Sequence, residues 1–371
     1  MDEPLRALFY NEGTVGTGIL GHGMLESALR AGLSRRDDVD AHLLGPAPEG
    51  SIAGWAARSV PGLFPFSLDF QPTRWHLVQS LRARRAIRSS RAAQIADVLY
   101  VHTQASALLL GSILDRVPTF LSVDASIEAF AGLEAWQRVR PWTHATLLPS
   151  LALERRVLER AARVLAWTQW AADSVRRAAP KARIMTLHPG LDLERFAPRP
   201  RTERSRIRVL FVGARFEAKG GADLLAALGP DLGSRCALDA VTQDAPPAAE
   251  GVSWHELSPG DDRLIELYQQ ADIFCLPSHA DTAGWAIVEA LACGTPVVAS
   301  DVGGIPDIIE DAGIVVPRGD RQALRAALRG LADDPTRRAA LGRHGRARAE
   351  RCFDNRQQTS RLIDAMRSAA S

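Results

Sequence analysis

A repeated alternation constrains this chain more than any other feature. Short apolar runs of strand length alternate with helical patterns, the rhythm breaks once, and then it starts again. Such alternation produces parallel sheets flanked by helices. In the first half, residues 6–10, 39–44, 98–102, 119–123, 164–167 and 184–187 read as strands. The segment 188–200 then carries three prolines and a glycine, which exclude a helix interior or a central strand. The rhythm restarts at 207–212 and continues through 273–276, 297–300 and 314–316. It closes in two or three Arg/Ala/Leu-rich helices from about Arg321. The chain is therefore expected to form two α/β units, residues 1–187 and 206–350, with a connection over 188–205. A last helix, 351–371, is expected to pack back on the first unit. A length of 371 residues agrees with two domains at roughly 150 residues each.

Composition excludes several classes. Hydrophobic residues make up 46% and charged residues 24%, an ordinary globular balance. A net charge of +2 without an aromatic-plus-basic motif gives no reason to expect a nucleic-acid partner. The cysteines Cys236, Cys275, Cys293 and Cys352 form no closely spaced pair, so they read as reduced, packed thiols rather than zinc ligands or disulfides. The N-terminus lacks the basic region and long apolar run of a signal peptide. The longest later apolar run, near 105–114, is far short of the roughly 20 residues that span a bilayer. A cytoplasmic protein is expected.

Ligands of parallel sheets sit beyond the carboxyl ends of the strands, so the loops after strands are the places to search. Gly16-Thr-Gly18-Ile-Leu-Gly21 matches a dinucleotide fingerprint and lies between a strand and a helix. An NAD site also needs an acid at the end of the second strand. Here that strand ends in Leu43-Leu-Gly-Pro46, and Asp37, Asp38 and Asp40 lie at its start. The loop reads as phosphate-facing, acceptor-facing or simply a tight turn. Asp38-Val-Asp40 spells a metal-binding DxD, but it precedes a strand and is far from any strand-end site. No metal and no cofactor are expected.

Three segments of the second half fit one picture. They are Phe211-Val-Gly-Ala-Arg215-Phe-Glu-Ala-Lys219-Gly, the long block from Pro277 through Asp281, Gly284, Glu289 and Gly294 to Pro306, and His188-Pro-Gly-Leu-Asp192 with Phe196 and Pro198. They resemble the C-terminal domain, donor-site block and interdomain signature of the retaining GT-B glycosyltransferases of family GT4. The resemblance spans about residues 160–320. It implies a GT-B fold, two Rossmann-like domains whose parallel sheets face across a cleft. It also implies an enzyme of the EC 2.4 class that moves a sugar from a nucleoside-diphosphate sugar, of UDP or GDP type, to a hydroxyl acceptor.

The residues support that chemistry in their own right. Arg215 and Lys219 share one strand-end loop, so a planar fork and a mobile point charge can reach one anion. Together they can stabilise a departing diphosphate. Asp281, Thr282, Ala283 and Gly284 open a helix whose N–H groups and dipole favour phosphate. Glu289 sits in an otherwise apolar helix and needs partners if buried, which the resemblance supplies as ribose hydroxyls. Asp281 replaces the first Glu of the family's E-x7-E, and Ala283 a customary Phe, so donor-sugar choice is open. Capping of the following helix is a second role for Asp281. Gly16 and Gly18 are assigned to the donor side, and the resemblance implies that His102, at a strand end, serves the donor sugar. Asp124 is assigned to the acceptor, and Glu154 reads as solvated.

The resemblance implies retention by front-face attack, with the leaving diphosphate taking the acceptor's proton. That route needs no protein nucleophile. Residues 82–91 hold five arginines and no acid, which raises peripheral contact with the inner membrane face, against an ordinary solvated helix. A non-catalytic nucleotide-sugar binding protein and an NAD-dependent oxidoreductase are the alternatives.

Overall fold

The computed structural model describes residues 3–12, 20–47, 70–133, 143–202, 204–244 and 250–370. They form two compact units. The first holds residues 1–189 and 356–371, and the second holds 190–355.

The first unit is built on a six-stranded sheet, all of whose pairings are parallel. Its strands are β1 (Leu5–Tyr10), β2 (Val39–Leu44), β3 (Val98–His102), β4 (Thr119–Val123), β5 (Arg163–Ala166) and β6 (Ile184–Thr186), in the order β2-β1-β3-β4-β5-β6. The inner strands β3 and β4 are buried along their whole length, as expected of strands covered on both faces. Leu8, Val101, Leu121 and Val164 pack in one core with Val157 and Leu158 of the helix Thr143–Arg160. The final helix, Asn355–Ala370, joins this unit from Arg356 onward. Its Arg367 meets Asp38 at 2.5 Å, and Arg36 holds the same carboxylate at 2.7 Å. Asp38 is thus occupied by two arginines at the amino end of β2, while Asp40 lies 3.4 Å from His42 Nε2. Among the described residues no cluster of His, Cys, Asp and Glu could hold a metal ion.

The second unit repeats the plan with β7 (Ile207–Val212), β8 (Cys236–Val241), β9 (Val252–His255), β10 (Ile273–Leu276), β11 (Val297–Ser300) and β12 (Gly313–Val316). The order is β12-β11-β10-β7-β8-β9, again with every pairing parallel. Read from β9, this is the strand order of a dinucleotide-binding sheet, and it reverses between β7 and β10. The strands β8 and β9 were not expected from the sequence. Asp239 interrupts the apolar run of β8, and its charge is met by Arg208 on β7 at 2.6 Å and His255 on β9 at 2.9 Å.

The proline-rich segment belongs to the second unit. Its carbonyls cannot all enter a ladder, and buried carbonyls need donors. Arg346 serves two of them, donating to Leu193 O at 3.2 Å and Phe196 O at 2.9 Å, and ties the segment to the end of the helix Trp285–Ala292 through Ala292 O at 2.9 Å. Leu191 pairs with Asp354 in an isolated parallel bridge, where the chain enters and leaves the unit.

At the β7–β10 reversal the two strand-end loops meet backbone to backbone. Gly220 has φ +77°, and a Cβ there would lie 1.8 Å from Pro277 O. Gly319 has nearly the same φ, +76°, with open space around it. Gly319→Ala should therefore lose only the backbone term, about 1–2 kcal/mol. Gly220→Ala should lose on the order of 4 kcal/mol or fail to fold. Urea unfolding of both variants checks this, and equal losses would contradict it.

Candidate active site

Lys219 leaves the end of a tight turn whose N–H donates to Arg215 O at 3.0 Å. That turn is fixed from below: Phe216 stacks edge-on against Phe211 and Trp254, with centroids 5.4 and 5.2 Å away. Its N–H donates to Asp244. Arg215 is exposed on the same turn.

The Lys219 ammonium crosses to the loop after β10. It donates to Asp281 Oδ2 at 2.6 Å and to Ala280 O at 3.2 Å. Both side chains are largely buried, at 14% and 11% exposure. The other oxygen, Asp281 Oδ1, accepts from Gly284 N–H at 2.8 Å. Asp281 therefore holds Gly284, three positions after it in the chain and the residue that caps the helix Trp285–Ala292. Thr282 O accepts from Gly304 N–H at 2.9 Å, and a Cβ on Gly303 would lie 2.0 Å from Asp281 O. Ala283 is buried beneath. The structure thus brings Arg215, Lys219, Asp281, Thr282, Ala283 and Gly284 to the carboxyl edge of one sheet, at its order reversal. This is where such sheets bind ligands, with a helix N-terminus aimed at it.

Glu289 lies in the same helix and is buried, which pushes its carboxyl up to about 7. Tyr268, from the helix Asp262–Gln270, faces it and holds it down slightly. Among the described residues the Tyr268 hydroxyl closes no full hydrogen bond.

A second contact parallels the first. Asp223, one turn beyond Lys219, accepts from Arg321 Nε at 2.6 Å and pairs with His279 Nε2 at 3.0 Å. His279 N–H donates to Ala218 O at 3.0 Å. Sequence reasoning passed over Asp223 and His279 because their pairing joins positions far apart in the chain.

In the first unit His102 ends β3 with its ring fully buried, stacked on Trp167 at 5.5 Å and 12°. Trp167 is fixed by donating its indole N–H to Ser122 Oγ at 2.8 Å. Asp124 follows β4 and is partly exposed. Gly16 and Gly18 lie outside the described residues. Glu12, just past β1, was not singled out in the sequence. It accepts from Thr103 Oγ1 at 2.8 Å and Ser106 Oγ at 2.6 Å. It thereby bridges β1 and β3, where this sheet's order reverses.

Glu154 corrects the sequence reading. It is fully buried, not solvated. It shares the inward stripe of its helix with Leu147, Ser150, Val157 and Leu158, a 3.6-residue period that could have exposed it. Oε1 accepts from Ile127 N–H at 2.8 Å. Burial pushes the carboxyl up to about 8, with the charge of Glu128 adding to the rise.

Comparison with known proteins fits this geometry. The profile described as Glycosyl transferases group 1 matches residues 248–348, and that described as Glycosyltransferase Family 4 matches residues 28–195. The chain belongs to the family 4, group 1 glycosyltransferases. It is 33% identical over 261 residues to D-inositol 3-phosphate glycosyltransferase of Saccharomonospora viridis, covering 58% of each chain. The chain thus spans less than two thirds of that relative's length. It is 29% identical to α-maltose-1-phosphate synthase of Mycolicibacterium smegmatis, over 90% of this chain and 91% of that one. The Anabaena protein Alr3699/HepE, solved in complex with UDP-glucose, shares the fold at a TM-score of 0.67. Its identity is 17%, over 98% of this chain and 99% of that one. This family 4 member thus has the GT-B fold of two Rossmann-like units, each an α/β unit on a parallel six-stranded sheet. Among its described residues no helix is long and apolar enough to cross a membrane.

Glu154 gives the site a pH signature. A carboxyl raised on folding stabilises most below its unfolded value, and that contribution is lost as pH rises from about 4.5 toward about 8. Glu154→Gln keeps the shape without the charge. It should flatten this loss and raise Tm near pH 8 by about 2–4 °C for each kcal/mol recovered. Thermal unfolding across this range tests it; a curve parallel to wild type would contradict it.

Proposed function

We propose that the protein is a retaining glycosyltransferase that moves a sugar from a nucleoside-diphosphate sugar to a hydroxyl acceptor. The observation that carries the reading is the convergence of Lys219, Asp281 and the 285–292 helix start at the β7–β10 reversal. In this reading Arg215 and Lys219 stabilise the departing diphosphate, and the helix N-terminus receives a phosphate. Glu289 binds the ribose. The anomeric carbon–phosphate-oxygen bond breaks, the bond to the acceptor oxygen forms on the same face, and the acceptor's proton passes to the leaving phosphate. His102 serves the donor sugar, Asp124 the acceptor, and Gly16 and Gly18 the donor side.

The UDP-glucose held by the Anabaena protein supports a UDP-type donor. The name of the Saccharomonospora relative supports a polyol or sugar hydroxyl as acceptor. We place the reaction in the cytoplasm, with peripheral contact to anionic membrane through residues 82–91. There Arg85, Arg88 and Arg91 are exposed beside Leu81, itself 52% exposed.

Thermal-shift titration with UDP, GDP, ADP and NAD, repeated with chelator, tests the reading. UDP is expected to stabilise the protein with or without chelator. Lys219→Ala should weaken that binding by about 10- to 100-fold, the loss of a charged hydrogen bond. Stabilisation by NAD alone, or binding that requires a metal, would contradict it.

A further inference from the structure

We infer that Asp281 is an exchangeable counter-ion for Lys219, and that diphosphate binding moves the ammonium off Asp281 and releases one carboxylate oxygen to a donor-sugar hydroxyl. The inference rests on the proposed donor reading and deepens it. It turns a single side chain into a link between recognition of the diphosphate and recognition of the sugar.

Three observations carry it. First, both Asp281 oxygens are committed within the protein: Oδ2 to Lys219 at 2.6 Å and Oδ1 to Gly284 N–H at 2.8 Å. Oδ1 is held by backbone and stays in place. Oδ2 is held by a flexible side chain, the only one of the two bonds that can be given up without moving the loop.

Second, the loops do not depend on this ion pair to stay together. Asp223 bonds His279 and Arg321, His279 N–H bonds Ala218 O, and Gly220 lies against Pro277 O. Lys219 can therefore turn toward an anion while residues 218–223 and 277–281 remain docked.

Third, the pair is largely buried, at 14% and 11% exposure. Removing one partner from a buried pair leaves an uncompensated charge, which is strongly unfavourable. A diphosphate replaces the charge that Lys219 loses. Nothing replaces the charge that Asp281 loses unless the ligand brings a donor, and a sugar hydroxyl is such a donor. A nucleoside diphosphate alone should thus bind against a penalty that the nucleotide sugar relieves. An aspartate is one methylene shorter than the family's glutamate. At this length the carboxylate reaches Lys219 at 2.6 Å and Gly284 N–H at 2.8 Å together.

Calorimetric titration of the full chain with UDP and with UDP-glucose tests the exchange. Asp281→Asn keeps an oxygen for Gly284 N–H and removes only the charge facing Lys219. Wild type should prefer UDP-glucose over UDP. The variant should bind UDP about fivefold or more tighter than wild type and lose most of the preference for UDP-glucose, a coupling of ordinary allosteric size. Weaker UDP binding by the variant, or an unchanged preference, would overturn the exchange. Should the variant fold poorly, a crystal structure of wild type with UDP decides. Nζ on a phosphate oxygen and away from Asp281 supports the inference; Nζ still paired to Asp281 overturns it. If wild type binds neither ligand, the donor reading itself fails and this inference with it.

Discussion

The backbone contact between the loops after β7 and β10 organises the second unit's ligand edge, and the ion pair between Lys219 and Asp281 forms across it. The pair spans the reversal between β7 and β10 and joins residues 62 positions apart. To form, it needs two strand-end loops in backbone contact, which glycine at 220 and 303 permits. It also needs a carboxylate whose second oxygen anchors the start of the 285–292 helix. One aspartate thus sets the distance between a cation and a helix N-terminus, two features suited to the same anion.

Much of this architecture was legible in the sequence because parallel strands covered on both faces read as apolar runs. The strands buried along their whole length, β3 and β4 of the first sheet and β10 and β11 of the second, announce themselves that way. The strand β8 does not, because Asp239 stands inside it, and its carboxylate finds its partners, Arg208 and His255, on the neighbouring strands β7 and β9. Candidate residues on contiguous motifs, such as Arg215 with Lys219 or Asp281 with Gly284, could be read from spacing. Their mutual bonding could not, since no local pattern records that Lys219 meets Asp281 rather than solvent.

The first unit shows the same limit. Glu12 gained its place only when β1 and β3 lay side by side and put Thr103 and Ser106 within reach. Thr103 adopts φ +65°, a strained setting for a β-branched residue, and its hydroxyl is held there by Glu12. Glu154 was misread because acidic residues are mostly exposed, and that expectation outweighed the helical period. Its bond to Ile127 N–H fixes the loop that follows Asp124. In both cases a buried carboxylate, not an apolar contact, shapes the sheet's ligand edge.

If the nucleotide binds at the β7–β10 edge of the second unit, hydrogen–deuterium exchange with and without UDP reveals it. UDP should slow exchange in two separate stretches, 213–220 and 282–289, whose amides surround Lys219 and the helix start. Slowing confined to the Gly16–Gly21 region, with no change in those two stretches, would put the nucleotide on the first unit instead.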